Sequence, residues 1–114
     1  MSRVYLPTTI DRLRTSLAAG SLDPVNAVMA EGDDEASEYD ALMTAADASA
    51  ALLDGPGRRV VVVAEVADIS APVALKDVVA VHADPADRPL DADPDDDLAW
   101  YASQEIEDVV LDVN

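Results

Sequence analysis

The most apolar stretch of the chain runs from Arg58 to Val66 and has the sequence Arg-Arg-Val-Val-Val-Val-Ala-Glu-Val. A short, β-branched run of this kind is typical of a strand covered on both faces of a sheet, because stiff valine side chains fit a pleated surface. Burying each valine is worth about 1.5 kcal/mol or more. We therefore expect this strand to be central in the sheet and to nucleate the core.

A strand and a helix are predicted at the start of the chain. The strand covers Arg3–Leu6, and Thr8 or Thr9 then caps a helix that runs through Ala19. Gly20 is the expected stop signal, since glycine takes the left-handed conformation that ends many helices.

The next segment predicts a second strand and the longest helix. Val25–Ala30 is the strand, and the intervening helix would make it parallel to the first strand through a right-handed crossover. Glu31–Glu35 opens the long helix, with Asp33 as its cap, and the helix should end near 54–57. One apolar stripe is expected at Ala36, Tyr39, Met43, Ala46, Ala50 and Leu53.

The pattern after the valine-rich strand predicts another strand and a long loop. Residues 69–76 have no clear periodicity and allow one helical turn. Val78–Ala83 is predicted as a strand with Val79 and Val81 on one face, and with Val78, Ala80 and His82 on the other. Residues 84–97 are rich in Pro and Asp, which indicates a loop.

The C-terminal segment has two interpretations. As one helix it would be capped by Asp93 and carry a stripe from Leu98 to Val113. Alternatively Leu98–Tyr101 is a short strand, and Ser103 caps a terminal helix. We favour the strand because Trp and Tyr prefer strands, and it would place Trp100 and Tyr101 on opposite faces, one of them in the core.

These elements predict an α/β fold, with α+β as the alternative, in a single domain over residues 1–114. The order β-α-β-α-β-β-β-α gives a single-layer mixed sheet of four or five strands with helices packed on it. A chain of 114 residues is long enough to bury a core without staples.

Charge is the strongest compositional deviation. The formal net charge is −17, and it is concentrated in two blocks: residues 31–57 contain eight acidic and no basic residues, and residues 84–114 contain eleven acidic and one basic residue. Such a surface repels nucleic acid and anionic lipid and attracts basic proteins. Solubility, or a lineage bias in composition, is the competing explanation.

Location and cofactors are constrained by what the sequence lacks. There is no Cys, no signal-like N-terminus and no apolar run of the roughly 20 residues that a membrane span needs. We therefore expect a cytoplasmic protein. No Walker or dinucleotide fingerprint is present, so no cofactor is predicted.

Five separated stretches together resemble a known family: Arg3–Pro7, Glu38–Tyr39, Arg58–Val62, Asp77–Asp84 and Trp100–Ile106. The chain is similar to an uncharacterised family of small acidic proteins from high-GC Gram-positive bacteria, a domain of unknown function. It has a shorter segment before the acidic helix and a shorter loop after Asp84 than the longer members. The resemblance supports the strand at Leu98–Tyr101 and transfers no chemistry.

Catalytic candidates are few. His82 is the only histidine, and Asp84 lies two residues further along, so the pair could act as base and orienting carboxylate. A hydrogen-bonded structural histidine is the favoured interpretation. Arg58 and Arg59 are interpreted as internal ion partners of the acidic excess.

An aspartate-rich segment, Asp91–Asp97, is similar to a calcium-binding loop only in part. The sixth position is Asp96 where a glycine is needed, and the twelfth is Ala102 where a glutamate is needed, so no metal site is predicted.

The leading hypothesis is a non-catalytic protein-binding or regulatory module that binds a basic protein. Its alternative is a small-molecule sensor or minor enzyme using His82 with nearby carboxylates. The candidate binding residues are the clustered carboxylates Asp33, Asp34, Glu35, Glu38, Asp91, Asp93, Asp95, Asp96 and Asp97.

Overall fold

The computed structural model describes residues 2–24, 26–53, 57–87, 89, 92–93 and 96–111. Within these ranges the chain is a mixed α+β protein. Its elements are β1 (Ser2–Thr8), α1 (Ile10–Ala19), β2 (Ser21–Leu22), α2 (Glu35–Leu52), β3 (Val60–Val66), β4 (Val73–Ala74), β5 (Val78–Ala83), β6 (Ala99–Ala102) and α3 (Ile106–Leu111). None of the helices in the described ranges is both long and apolar enough to cross a membrane.

The main sheet has the strand order β1-β3-β5-β6, and each neighbouring pair is antiparallel. β3 has a strand on either side, and six of its seven residues are buried. The expected central position of the valine-rich strand is therefore confirmed. β2 and β4 form a separate two-stranded antiparallel sheet.

The predicted parallel strand over 25–30 is wrong. Val25 lies outside the described residues, and Asn26 has a φ of +62°, in the left-handed region. A strand does not continue through that conformation, so the chain turns there. Only Val28 pairs with β1, in an isolated antiparallel bridge to Tyr5. With no parallel pair, the crossover is absent among the described strands.

Helices cover both faces of the main sheet. Because strand residues alternate between the faces, the buried residues form two clusters. On the face covered by α2, the buried residues are Tyr5, Ala41, Ala45, Ala46, Val61, Val63 and Ala80. On the opposite face, the larger cluster joins α1, α3 and the small sheet: Val4, Leu6, Ile10, Leu13, Leu22, Val60, Val62, Ala64, Val66, Val73, Val78, Val81, Ala83 and Val109.

A bulge changes the faces expected for β5. Val63 lies opposite Ala80 and Ala64 opposite Val78, so Val79 has no partner on β3. The extra residue moves Val78 to the face of Val81, while Val79 is exposed. The strict alternation predicted from the sequence therefore fails at this residue.

The ends of α1 agree with the sequence. The Thr9 side chain accepts a hydrogen bond from the backbone N–H of Arg12 at 3.2 Å. Gly20 ends the helix with a φ of +84°. Both capping predictions are confirmed.

The predictions for α2 need two corrections. Its cap is Asp34, not Asp33, and the side chain of Asp34 accepts a hydrogen bond from the N–H of Ser37 at 3.2 Å. The buried residues are Ala41, Ala45, Ala46 and Ser49, so Ala46 alone of the predicted stripe is buried. Alanine occurs on every side of this helix, so periodicity alone did not identify the packed face. The helix packs on the sheet through its small residues.

The C-terminal segment contains the predicted strand. β6 exposes 60% of Trp100 and packs Tyr101 against the larger core cluster. Ser103 opens a 3₁₀ turn and makes no side-chain cap. The cap-like bond comes instead from Glu105, whose Oε1 accepts from the backbone N–H of Ala102 at 3.0 Å.

Candidate functional site

The two acidic blocks of the sequence meet in the folded chain. Tyr39, in the first turns of α2, donates a hydrogen bond from its hydroxyl to Oδ1 of Asp97 at 2.9 Å. The start of α2 and the segment before β6 therefore lie side by side. We call the surface that they form the acidic face, and its members are Asp33, Asp34, Glu35, Glu38, Tyr39, Asp96 and Asp97.

Carboxylates at the start of α2 are held in defined positions. Asp34 binds both the N–H and the hydroxyl of Ser37, the latter at 2.8 Å. These hydrogen bonds, from the Ser37 side chain first, lower the pKa of Asp34, so it stays charged. Glu38 is paired with Arg3 at 3.5 Å, and Arg3 also reaches Glu65 at 3.5 Å. Asp33 and Glu35 are exposed.

A buried ion pair fixes the loop that carries the second block. Asp84 follows β5 and is 2% exposed, as is Arg59. Its Oδ2 accepts from the backbone N–H and from Nε of Arg59, both at 2.9 Å, and its Oδ1 accepts from Nη2 at 2.8 Å. Hydrogen bonding to this carboxylate raises the pKa of Arg59 above its ordinary value.

Arg59 also reaches the acidic face. Its Nη2 donates to the backbone carbonyl of Asp96 at 2.7 Å. A core guanidinium thus positions the main chain immediately before Asp97, so the surface carboxylate is connected to the buried pair.

Arg58, the neighbour of Arg59 in the sequence, anchors α3. Arg58 is 3% exposed, and it donates from Nε to the carbonyl of Asp84 at 2.6 Å and from Nη1 to the carbonyl of Val109 at 3.3 Å. Its Nη2 is buried without an acceptor among the described residues. Arg59 is an ion partner of an acidic residue within the chain, as the sequence suggested, whereas Arg58 donates to backbone carbonyls, and both side chains are buried.

His82 is half-buried on β5, opposite Val61 and Trp100. Burial lowers its pKa, so the neutral imidazole is favoured. Both oxygens of Asp84 are engaged by Arg59, which draws that carboxylate into the core. A role for His82 with Asp84 stays a prediction, and no described contact supports it.

The remaining predicted residues are partly outside the described ranges. Asp91 and Asp95 lie outside them, and Asp93 is exposed, with its carbonyl accepting from the N–H of Asp96 at 3.1 Å. Within the described part of the chain, no group of three or more His, Asp or Glu side chains could hold a metal ion.

A groove of the described surface lies elsewhere. It has a volume of about 400 Å³ and lies between the end of β1, α1 and the residues after β2, lined by Leu6, Pro7, Thr8, Asp11, Arg12, Thr15, Ser16, Leu22 and Asp23. None of the predicted site residues lines it.

Sequence reasoning missed the burial of Arg58 and Arg59. The available signal was their position immediately before the valine run of β3, opposite an aspartate that follows β5. The N–H of Asp84 bonds to the carbonyl of Arg59 at 3.1 Å, as an extension of the ladder between β3 and β5. Ion pairs at such ladder ends are predictable once the register is known.

The fold and the surface together define a small α+β protein with an acidic face. Comparison with protein families shows that the chain belongs to DUF6912, a family of unknown function, whose model matches residues 2–110. The searches of the curated proteins and of the solved structures gave no match.

Proposed function

We propose that this protein is a non-catalytic protein-binding or regulatory module whose acidic face binds a basic surface of another protein. The observation that carries the proposal is the 2.9 Å hydrogen bond between Tyr39 and Asp97, two residues that are 58 positions apart and belong to different acidic blocks. Separate acidic segments thereby become one surface.

The distribution of the cations supports the proposal. The sequence has seven Lys and Arg residues against 24 Asp and Glu, and two of the seven, Arg58 and Arg59, are in the core. Arg3 pairs with Glu38 of the acidic face through a long and exposed bond, and Arg59 binds the backbone carbonyl of Asp96 from the core. The face contains six carboxylates, so these few cations leave it with a net negative charge.

Acidic surfaces of this kind act mainly on association rate and specificity. Unneutralised carboxylates steer a basic partner into place at low ionic strength, and salt screens that attraction over about 8–10 Å. We therefore expect binding that weakens steeply as salt increases.

Two charge-reversal variants test whether position or net charge matters. Asp33→Lys with Asp97→Lys changes the acidic face. Asp11→Lys with Asp77→Lys makes the same change in net charge at exposed or half-exposed sites elsewhere. Both pairs and the wild type would be used for affinity purification from a cell extract at low and at high salt.

The proposal predicts basic proteins that are retained at low salt by the wild type and the Asp11 and Asp77 variant, and that are lost from the Asp33 and Asp97 variant. Equal loss from both variants would reduce the effect to net charge. Retention that does not change with salt, or no retained protein, would contradict binding through this face.

A further inference from the structure

On the outer edge of β6, no backbone hydrogen bond to a described residue is found for Trp100. Among the described strands, β6 pairs only with β5, so no described strand covers its other edge. The N–H of Ala102 bonds to the Glu105 side chain and not to β5. Backbone groups alternate between the two edges of a strand, so Trp100, two residues away, also directs its N–H and C=O outward.

The register of the whole sheet gives the same result. Tyr5 exchanges both backbone hydrogen bonds with Val28, on the side away from β3. Every second residue of β1 directs its backbone groups away from β3, and Pro7, two residues after Tyr5, lies opposite Val61. Val61 therefore directs its N–H and C=O towards His82 on β5. Trp100 lies opposite His82 in the next pair, and it therefore points its groups away from β5.

The side chain at this edge is equally available. Trp100 is 60% exposed, the largest exposure among the big apolar side chains of the described residues. Acidic residues flank it on both sides: Asp96 and Asp97 precede β6, and Glu105 and Glu107 follow it, all exposed. An aromatic ring among carboxylates suits a cationic side chain, which is attracted by the ring face and by the surrounding charge.

We infer that the outer edge of β6 accepts an extended segment of a basic protein as an additional strand, with its Arg or Lys side chains packed on Trp100. The inference rests on the proposed function, because the acidic face selects the basic segment. Strand addition supplies main-chain hydrogen bonds, and alternate side chains supply specificity.

Charge decides between this occupant and a second copy of the chain. An edge-to-edge dimer would bring two chains of net charge −17 together at a strand that Asp96 and Asp97 precede and Glu105 follows. That arrangement is repelled, whereas a basic segment is attracted. The flanking charges also protect the edge from self-association, as natural edge strands require.

A labelled peptide that alternates Arg and Val over about eight residues, enough to span β6, is the probe. Its affinity would be measured at low salt by fluorescence anisotropy. Trp100 is the only tryptophan, so its emission reports contact at the edge in the wild type. A fully N-methylated Arg-Val peptide keeps the charges but lacks the backbone N–H groups that would bond to the edge of β6. A Glu-Val peptide reverses the charge.

Two substitutions at one position separate the ring from the backbone. Trp100→Ala removes the ring and keeps the outward N–H, whereas Trp100→Pro removes both. Proline is tolerated here because this N–H is outside the ladder. Ile69→Ala is the matched control, because Ile69 is an exposed apolar residue that lies after β3 and outside β6.

The inference predicts a shift of Trp100 emission with the Arg-Val peptide, an affinity about tenfold weaker in Trp100→Ala, and a weaker affinity still in Trp100→Pro. Ile69→Ala should bind as the wild type, and the N-methylated peptide should bind poorly.

The opposite results are distinct. If Trp100→Pro binds normally while Asp33→Lys with Asp97→Lys does not, the acidic face binds without strand addition, and only this inference fails. If no basic peptide binds the wild type, the proposed function fails with it. A dimer in sedimentation that Trp100→Pro dissociates would assign the edge to a second copy and overturn the inference.

Discussion

Removing the charge of Asp84 should strongly destabilise the protein. Asp84→Asn keeps the shape of the side chain but leaves the guanidinium of Arg59 buried without its counter-ion. Both residues are 2% exposed, and the carboxylate accepts three hydrogen bonds from Arg59. Breaking a buried pair on one side typically costs about 3–5 kcal/mol.

That cost is large compared with the free energy of unfolding of the whole protein. A domain of this kind is stable by about 5–15 kcal/mol, so Asp84→Asn should remove a substantial part of the free energy of unfolding. Urea unfolding followed by circular dichroism measures the change, provided that the slope with denaturant is unchanged.

Two controls make the comparison specific. Asp11→Asn disturbs an exposed pair, with Arg14 at 3.3 Å, and should cost at most about 0.5 kcal/mol. Replacing both members of the buried pair, with Arg59→Met and Asp84→Leu, should recover much of the loss, because no charge is then left unpaired. A loss under about 1 kcal/mol for Asp84→Asn would refute the view that this pair anchors the loop.

Three further predictions concern local contacts. Ser49→Ala should cost about 1–3 kcal/mol in urea unfolding, because the hydroxyl donates to the carbonyl of Thr8 at 2.6 Å and accepts from the N–H of Val60 at 2.8 Å; exposed Thr44→Ala should cost little. Gly20→Ala should cost about 1–2 kcal/mol, since alanine is strained at a φ of +84°. Burial lowers the pKa of His82 from 6.5, so wild-type stability should fall as pH decreases through that value and then level off, a decrease that His82→Gln should lack.

Each of these has a clear contrary result. Equal stability of the Ser49→Ala and Thr44→Ala variants would show that the bridge from α2 to β1 and β3 is unimportant. A neutral Gly20→Ala would show that the end of α1 relaxes out of the left-handed conformation. Parallel pH profiles for the wild type and His82→Gln would show that burial of the imidazole has no net effect.

Local sequence signals predicted the elements whose own residues have strong conformational preferences. The run from Val60 to Val66 has few alternatives to an interior strand, and Thr9 and Gly20 are residues with specific roles at helix ends. The short strand at Ala99–Ala102 was also predictable, since Trp and Tyr favour extended structure.

Pairing and packing were less accessible because they depend on distant residues. Nothing local indicates that β1 pairs with β3, or that Asn26 turns the chain and leaves only Val28 to reach β1. The stripe of α2 failed because small alanines carry little directional signal. The acidic face likewise depends on Tyr39 reaching Asp97, a contact that no spacing in the sequence reveals.

The most direct test of the acidic face is amide NMR during titration of the labelled wild-type protein with the Arg-Val peptide at low salt. A single joined surface predicts chemical-shift changes that cluster at residues 33–39 and 96–100 together and disappear at high salt. Changes spread equally over other carboxylates such as Asp11 and Asp77, or confined to only one of the two segments, would contradict a single joined surface.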